Sequence, residues 1–407
     1  MTQLHRGWAV AAVVFMTFAL TIGITQYSFG VFVTELESDL GWSRAELNGT
    51  LTLFAAGGLL APFVGQLIDR HGVRPVMMCS FGLLAFSNFL RPFVDELWQF
   101  YALSLIQFMA VPGTIMLPAG KLLVNWFPEA RGRAMGFATV GANVGGATFS
   151  ALSALLISSV GWRATYAIYG LLFVVAIPVV AIVIREGGRR RDGEATSIVE
   201  EGLTARSALR TRTFYVLAIS LTLAQLTYLS VLTQIVPHFE NVGFDRGMAA
   251  LAVGAMAFFG AVGKITFGWL TEYVASRFVL MLSLGMQATG LVILVLAGDG
   301  ALVWSFIPIF GLGFGALGAL MTLLVQETFG VREFATIFGL VNFFTQGASI
   351  VGPPLVGASF EITGSYGMAF TVIATLFLVG AVLLIFAPPP CTGVVPKKSL
   401  KVRKEII

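Results

Sequence analysis

The stretch "GQLIDRHGVR" at residues 65–74 places one carboxylate, two arginines and two glycines in a short polar run between two long apolar segments. A related stretch, "GWLTEYVASR", occupies residues 268–277. Four positions agree in character at one constant offset of 203: Gly65, Leu67, Asp69 and Arg74 correspond to Gly268, Leu270, Glu272 and Arg277. A second pair, "GWSR" at 41–44 and "GFDR" at 243–246, repeats at nearly the same spacing. The two halves of the chain are therefore related by an internal repeat.

The composition indicates that this repeat lies in a membrane. Of 407 residues, 57% are hydrophobic and only 11% are charged, with a mean hydropathy of +0.87. A soluble domain carries roughly a quarter charged residues. A hydrocarbon core of about 30 Å needs roughly 20 apolar residues per helix. Twelve segments qualify: 8–34, 45–68, 75–93, 98–126, 133–160, 163–184, 213–239, 248–269, 278–297, 301–326, 334–360 and 366–387.

The basic residues predict the orientation of these spans. With both termini cytoplasmic, 19 of the 25 Lys and Arg residues fall in cytoplasmic loops and tails and four fall on the opposite side. The remaining two, Lys121 and Lys264, lie within spans. The positive-inside rule therefore predicts cytoplasmic termini in a plasma or inner membrane. The same asymmetry explains the pI of about 9.2 without a nucleic-acid partner.

The spans and the repeat together predict the domain organisation. We expect an all-α integral membrane protein with a six-helix bundle over residues 1–185, a cytoplasmic linker over 186–212, a second six-helix bundle over 213–390 and a basic cytoplasmic tail over 391–407. Two parallel repeats imply a pseudo-twofold axis along the membrane normal, with a cavity between the halves near mid-bilayer. This architecture is typical of a secondary transporter.

Other classes of protein fit the residues less well. Two cysteines give neither a disulfide framework nor a metal-ligand spacing. An enzyme would need convergent acid, base or nucleophilic groups, and the span interiors contain no Asp or Glu. The pattern "GFGALG" at 313–318 lies within a span without a preceding strand, so it does not predict dinucleotide binding. A receptor would usually show a larger soluble domain. We therefore expect a transporter with no enzymatic activity, cofactor or metal site.

The stretch at 65–74 resembles the cytoplasmic loop motif of the major facilitator superfamily, which it matches at Gly65, Asp69, Arg70, Gly72 and Arg74. The resemblance implies twelve helices in two pseudo-symmetric halves. It also implies that Asp69, Arg70 and Arg74 act in gating, by holding the outward-open state, and the repeat extends this expectation to Glu272 and Arg277. Alternatively, these residues are ordinary positive-inside charges with a helix cap.

Three further stretches resemble one branch of that superfamily, the monocarboxylate transporters and their oxalate/formate antiporter relatives. They are "RGWAV" at 6–10, "YSFGVF" at 27–32 and "NWFPEARGRAMGFATVGANVGG" at 125–146. The resemblance places Lys264, in "KITFG", where an arginine usually pairs with the substrate carboxylate. Gln346 stands where the oxalate relatives carry a second lysine. One cation in place of two favours a monocarboxylate over a dicarboxylate such as oxalate.

Lys264 is also the most informative polar residue on physical grounds. A charge at the centre of a span costs about 2.5 to 3.5 kcal/mol. Lys264 precedes Glu272 by eight residues, about 12 Å along a helix, and a lysine stem can snorkel over about half of that distance. Two interpretations stay open: a lysine that reaches the cytoplasmic headgroups, or a point cation that faces the substrate without the bidentate fork of an arginine.

The remaining candidates are polar and aromatic residues in or near the spans. Gln346, Asn342 and Phe343 are predicted to form a polar and aromatic wall, and Gln225 and Tyr228 share a face of the seventh span. Ordinary helix packing is the alternative for both groups. Lys121 is either an entry cation or a snorkelling lysine.

His238 is either a proton site or an interfacial residue. Tyr27 and Gly260 replace a lysine and an aspartate that serve proton coupling in animal monocarboxylate transporters, so proton coupling stays open.

These expectations combine into one functional hypothesis with alternatives. The chain is predicted to move a small monocarboxylate of the lactate, pyruvate or formate type by alternating access, with a small organic anion, protons and the lipid bilayer as its partners. The predicted substrate-binding residues are Lys264, Gln346, Asn342, Phe343, Tyr27, Tyr228, Gln225 and Lys121. The alternatives are an exporter or carrier of a lipophilic or neutral metabolite, which would not depend on Lys264, and an oxalate/formate-type anion exchanger.

Overall fold

A computed structural model describes residues 3–185, 202–241, 246–297 and 303–386. Within these ranges the chain is helical, and its one β-type pairing is an isolated bridge between Gly202 and Gly330. This confirms the predicted all-α fold. The helices are α1 Gln3–Ile22, α2 Phe29–Leu40, α3 Arg44–Gly49, α4 Phe54–His71, α5 Val73–Leu90, α6 Leu97–Ala110, α7 Met116–Trp126, α8 Arg131–Val183, α9 Ala205–Ala208, α10 Arg212–Asn241, α11 Arg246–Leu270, α12 Ser276–Ala297, α13 Val303–Phe329, α14 Phe334–Thr363 and α15 Gly367–Leu383.

The helices accommodate the twelve predicted spans. Nine stretches of the described chain are long and apolar enough to cross a bilayer. One of these, Arg131–Val183, is 53 residues long and is interrupted at Gly161, whose φ of 81° suits glycine alone, so it contains two spans. Helices α10 and α14 have 30 residues each, or about 45 Å of helix, which exceeds the bilayer core. The helix lengths are thus consistent with twelve crossings.

The first span is not a regular α-helix. Between α1 and α2 the chain forms a π-helical turn over Gly23–Tyr27, and the Ser28 hydroxyl donates a hydrogen bond to the Gly23 carbonyl oxygen at 3.0 Å. A π-turn inserts one extra residue and so rotates the side chains that follow it. The turn packs closely on α8, because a Cβ at Gly23 would collide with the carbonyl of Gly145. The turn therefore sets the direction of Tyr27.

The chain divides into two compact units whose boundaries interleave along the sequence. Unit 1 comprises Met1–Pro128, Phe137–Val199 and Glu333–Leu340. Unit 2 comprises Glu129–Gly136, Glu200–Arg332 and Val341–Ile407. Residues 131–136 of α8 thus belong to unit 2, and residues 334–340 of α14 belong to unit 1.

Unit 1 contains a buried polar seam between α5 and α6. The Ser87 hydroxyl donates to the carbonyl of Leu103 at 2.8 Å, and Nη2 of Arg91 donates to the Ser104 hydroxyl at 3.1 Å. The Arg91 guanidinium lies 4.8 Å from the ring centres of both Phe100 and Tyr166. Side-chain hydrogen bonds and cation–π contacts of this kind hold helices together where the hydrophobic effect cannot.

Unit 2 relies on close backbone approach between α11 and α13. A Cβ at Gly263 would collide with the carbonyl of Leu312, and a Cβ at Gly315 with that of Gly260. On the neighbouring helix α12, the Ser283 hydroxyl donates to the carbonyl of Gly313 at 2.7 Å. Small residues allow helices in a membrane to pack backbone against backbone, and this packing fixes the position of α11.

Candidate substrate site and gate

The first crossing, as we call the contact between α4 and residues 334–340 of α14, is centred on Asp69 in unit 1. The Oδ2 atom of Asp69 accepts hydrogen bonds from the backbone N–H of Thr336 at 2.8 Å and from its hydroxyl at 2.7 Å. The Oδ1 atom forms an ion pair with Nζ of Lys121 at 2.9 Å. Thr336 lies in the first turn of α14, where the N–H groups lack helical partners and a negative charge is favourable. Asp69 therefore caps α14 while it neutralises Lys121.

The predicted motif residues differ in their roles in this crossing. The side chains of Asp69 and Lys121 are only 6% and 11% exposed, so their ion pair is buried. Arg70 and Arg74, from the same loop, are exposed. The cation that pairs with Asp69 is thus Lys121, which the sequence placed among the candidates for substrate binding.

The second crossing, between residues 129–136 and α11 with the turn that follows it, is centred on Glu272 in unit 2. Nε of Arg133 lies 2.8 Å from Oε1 of Glu272. The Glu272 side chain is 9% exposed, whereas the Arg133 side chain is 54% exposed. Arg133 is the third residue of α8, as Thr336 is the third residue of α14. The same helical position therefore meets a carboxylate in both crossings.

A second carboxylate, Glu327, lies near this segment. Glu327 accepts hydrogen bonds from the Ser276 backbone N–H at 3.0 Å and from its hydroxyl at 2.7 Å, and so caps the start of α12. The charges of Arg131 and Arg277 act on the same carboxylate. Arg277, a predicted gating residue, also lies 4.5 Å from the ring centre of Phe278. Glu327 is 9% exposed, so the charges of two arginines and the start of a helix act on one buried carboxyl group.

The backbones of the two crossings obey the repeat found in the sequence. A Cβ at Gly65 would collide with the carbonyl of Ala335, and a Cβ at Gly339 with that of Ala61. In the second crossing a Cβ at Gly268 would collide with Gly132, and a Cβ at Gly136 with the carbonyl of Lys264. Every residue is related to its counterpart by the offset of 203: Ala61, Gly65 and Asp69 to Lys264, Gly268 and Glu272, and Gly132, Arg133 and Gly136 to Ala335, Thr336 and Gly339.

Lys264 is therefore part of the second crossing. It lies on α11 one turn before Gly268, and its residue is half-buried. Its backbone carbonyl packs against Gly136 at the position where the first crossing has Ala61. Of the two equivalent backbone contacts, one therefore involves an alanine and the other a lysine.

Most of the other substrate candidates lie on two helices of unit 2. Asn342, Phe343 and Gln346 lie on α14 in unit 2; Gln346 is buried, Phe343 is 40% exposed, and the Asn342 carbonyl accepts a hydrogen bond from Thr345 at 3.0 Å. Gln225 lies half-buried on α10, and the side chain of Tyr228 lies outside the described residues.

Besides Lys121, unit 1 contains the candidate Tyr27. It ends the π-helical turn, its side chain is 51% exposed, and a Cβ at Gly146 would press on its ring. The role of these residues as a substrate wall stays a prediction.

His238 is packed among aromatic rings. It is 7% exposed on α10, and its ring centre lies 5.1 Å from that of Phe370 and 5.8 Å from that of Tyr366. Within the described part of the chain neither ring nitrogen has a hydrogen-bond partner. A protonated imidazole would thus be a buried charge without an anionic neighbour among those residues, which is unfavourable. The proton-site interpretation of His238 stays a prediction that this packing does not favour.

Several residues of the crossings were not identified from the sequence. Thr336 and Glu327 carried no motif, and Gly136 lay within the stretch at 125–146 without being singled out, because each meets its partner only through the tertiary fold. One signal could have found some of them: when the offset of 203 is continued from the 65–74 motif, Gly136 matches Gly339 and Arg133 matches Thr336. The repeat alone therefore predicts that residues 129–136 and the start of α14 occupy equivalent positions.

The membrane helices, the internal repeat and the paired crossings define a transporter of the two-unit helical type. Residues 12–353 match the family model of the Major Facilitator Superfamily, with a second match over 230–405, and the chain belongs to that family. Its fold is shared with the proton:xylose symporter XylE, at a TM-score of 0.75 and 13% identity, over 99% of this chain and 100% of that one. The E. coli fucose:proton symporter FucP gives a TM-score of 0.70 at 14% identity, over 93% and 98%.

Curated relatives confirm the branch that the sequence resembled. Monocarboxylate transporter 13 of Rattus norvegicus is 25% identical over 386 residues, or 94% of this chain and 89% of the relative. The oxalate:formate antiporter of Oxalobacter formigenes is 24% identical over 410 residues, or 99% of this chain and 95% of the relative. Human monocarboxylate transporter 2 is 21% identical over 93% of this chain and 84% of the relative. This chain is thus an integral membrane transporter with relatives of both kinds.

Proposed function

We propose that this protein moves a small monocarboxylate of the lactate, pyruvate or formate type across the membrane by alternating access, with Lys264 as the counter-charge of the carboxylate. The observation that carries the proposal is the position of Lys264: a half-buried lysine in an apolar helix, where the repeated contact in the other unit has Ala61. A lysine buried in a span is costly and is therefore expected to serve an ion or substrate path.

The charge of Lys264 favours an anion with one carboxylate. A carboxylate that binds at Lys264 loses its own water but gains an opposite charge within an apolar helix. In the loaded state each ion therefore offsets part of the desolvation cost of the other. Gln346 and Asn342 supply hydrogen-bonding groups on α14, and Phe343 supplies an apolar surface suited to a short carbon chain. The relatives named for monocarboxylates support this choice of substrate class.

Oxalate:formate exchange is the second candidate, because the Oxalobacter formigenes antiporter is similar to this chain along nearly its whole length. Gln346 replaces the second lysine that the resemblance to the oxalate relatives would require. A dicarboxylate would then have one cation for two negative charges. We therefore prefer the monocarboxylate, and whether its flux is coupled to protons is decided by the pH comparison below.

The two crossings are proposed to be the gate on the cytoplasmic side, with both termini in the cytoplasm and the protein in a plasma or inner membrane. Asp69 and Glu272 hold the starts of α14 and α8, and Lys121 belongs to the gate because its charge is committed to Asp69. Two six-helix halves, 1–185 and 213–390, would then rock about the substrate site. Opening towards the cytoplasm would separate both carboxylates from their partners.

Uptake into proteoliposomes tests this function. Labelled lactate, pyruvate, formate and oxalate are offered to the wild type, Lys264→Ala and Lys264→Arg at two external pH values. We expect uptake of a monocarboxylate that Lys264→Ala abolishes and Lys264→Arg partly retains, because arginine keeps the sign of the charge. Thr266→Ala, an exposed position on the same helix, is the matched control and should transport normally. Uptake that Lys264→Ala leaves unchanged would contradict the proposal and favour a neutral or lipophilic substrate.

A further inference from the structure

The two crossings have equivalent backbone contacts. They differ at the contact that Gly339 makes in the first crossing and Gly136 in the second, where only the second crossing has a charged residue. Gly339 packs on the carbonyl of Ala61 in unit 1, and Gly136 packs on the carbonyl of Lys264 in unit 2. Ala61 is fully buried, and its methyl group has no chemistry to offer an anion. Lys264 therefore combines two functions on one residue: its backbone belongs to the crossing and its side chain carries a charge.

The contact between Gly136 and Lys264 is sensitive to small displacements. A side chain as small as a methyl group at Gly136 would collide with the Lys264 carbonyl, and one turn along, Gly132 and Gly268 approach each other equally closely. Closely packed interfaces of this kind have discrete arrangements and do not deform continuously. A shift or rotation of α11 at Lys264 is thus transmitted directly to residues 129–136.

The far end of the same segment is anchored by charge. Arg133 is paired with Glu272, which follows α11, and the charge of Arg131 acts on the buried Glu327 at the end of α13. The segment is therefore held at its start by two carboxylates from neighbouring helices and at Gly136 by the residue proposed to bind substrate. Arg131 and Gly136 are only five residues apart.

We propose that residues 129–136 are a coupling element, with Gly136 as the positioning residue through which occupancy of Lys264 changes the packing of the predicted cytoplasmic gate. The proposal rests on the proposed function of Lys264 and extends it to the link between substrate and gate. A bound anion attracts the ammonium group of Lys264 and thereby shifts the turn of α11 on which Gly136 packs. The first crossing, with Ala61, closes without such a response.

A thiol placed in the segment reports on its packing. Cys79 and Cys391 are replaced by serine, and Ala134, which is 1% exposed, becomes the reporter as Ala134→Cys. Inside-out vesicles are treated with a membrane-impermeant maleimide, with and without lactate, pyruvate or formate. Gly136→Ala is compared with Gly254→Ala, which lies on α11 and whose added methyl group meets open space. Size-exclusion elution confirms that each variant is folded.

Gly136→Ala should raise the rate of labelling without anion by about tenfold, the shift expected from overpacking by one methyl group. The anion should change the rate in the Gly254→Ala control but not in Gly136→Ala. Equal rates and equal anion responses in the two variants would overturn the proposal. Suppose that the Ala134→Cys reporter responds to an anion, that Lys264→Ala abolishes this response, and that Gly136→Ala responds as the reporter alone does. The proposed function then survives and the coupling fails. If no anion is transported, the function fails, and the rate without anion still decides whether Gly136 packs the gate.

Discussion

In the first crossing both oxygens of Asp69 are occupied, by Lys121 on one side and by Thr336 on the other, and the ion pair is buried. In the second crossing Glu272 meets Arg133, whose side chain is more than half exposed. The glycine contacts around the two carboxylates are equivalent under the repeat, so the backbone is the same while the charges differ. The first crossing is thus the stronger electrostatic lock, and the second is the weaker lock that contains the substrate candidate.

The two related contacts therefore differ in how easily their ion pairs can open. A buried ion pair is expensive to break on one side, because the remaining charge has no partner and no water. A half-exposed ion pair is worth little and can open and close easily. A transporter that must respond to its substrate needs at least one contact that yields, and Lys264 lies in the crossing with the weaker charges.

Asp69→Asn should have the larger effect of the two gate substitutions. It leaves the buried Lys121 ammonium without its carboxylate, a loss of about 3–5 kcal/mol. We expect a strong fall in uptake and a lower midpoint of thermal unfolding in detergent. Adding Lys121→Met, which removes the unpaired charge, should restore a large part of the thermal midpoint. Equal midpoints for wild type and Asp69→Asn would show that the first crossing is not held by this charge.

Glu272→Gln should have the smaller effect. The carboxylate is buried but its partner is half-exposed, so the pair is worth about 0–1 kcal/mol. We expect a thermal midpoint within a few degrees of the wild type and uptake that persists. Raising the salt concentration should lower the midpoint of the wild type towards that of Glu272→Gln, since exposed ion pairs are screened. A loss as large as that of Asp69→Asn would remove the distinction between the two crossings.

Much of the fold was predictable because it depends on local composition. Apolar length predicts the spans, and the repeat predicts that Asp69 and Glu272 have equivalent places. The partners of these carboxylates were not predictable in the same way, because Thr336 lies 267 positions from Asp69 and meets it only in the folded chain. Lys121 shows the same limit: its sequence neighbourhood left open an entry cation or a snorkelling lysine, and the fold pairs it with Asp69.

The π-helical turn at Gly23–Tyr27 was likewise invisible in the sequence. Its residues have the composition of an ordinary span, and the irregularity arises where Gly23 packs on Gly145 in the first half of α8. The charge at Lys264, in contrast, was conspicuous because a lysine within an apolar helix has an intrinsic cost. Features with a local energetic signature are thus predicted from sequence, and features that depend on a distant partner are not.

The central claim is that the Lys264 charge binds a carboxylate, and equilibrium binding to the purified protein in detergent tests it most directly. Isothermal titration compares lactate with lactamide, its neutral amide of nearly equal shape, on wild type and on Lys264→Ala. The account predicts that the wild type binds lactate and not lactamide, and that Lys264→Ala loses the preference for lactate. Equal binding of lactate and lactamide by the wild type, or an unchanged preference in Lys264→Ala, would contradict it.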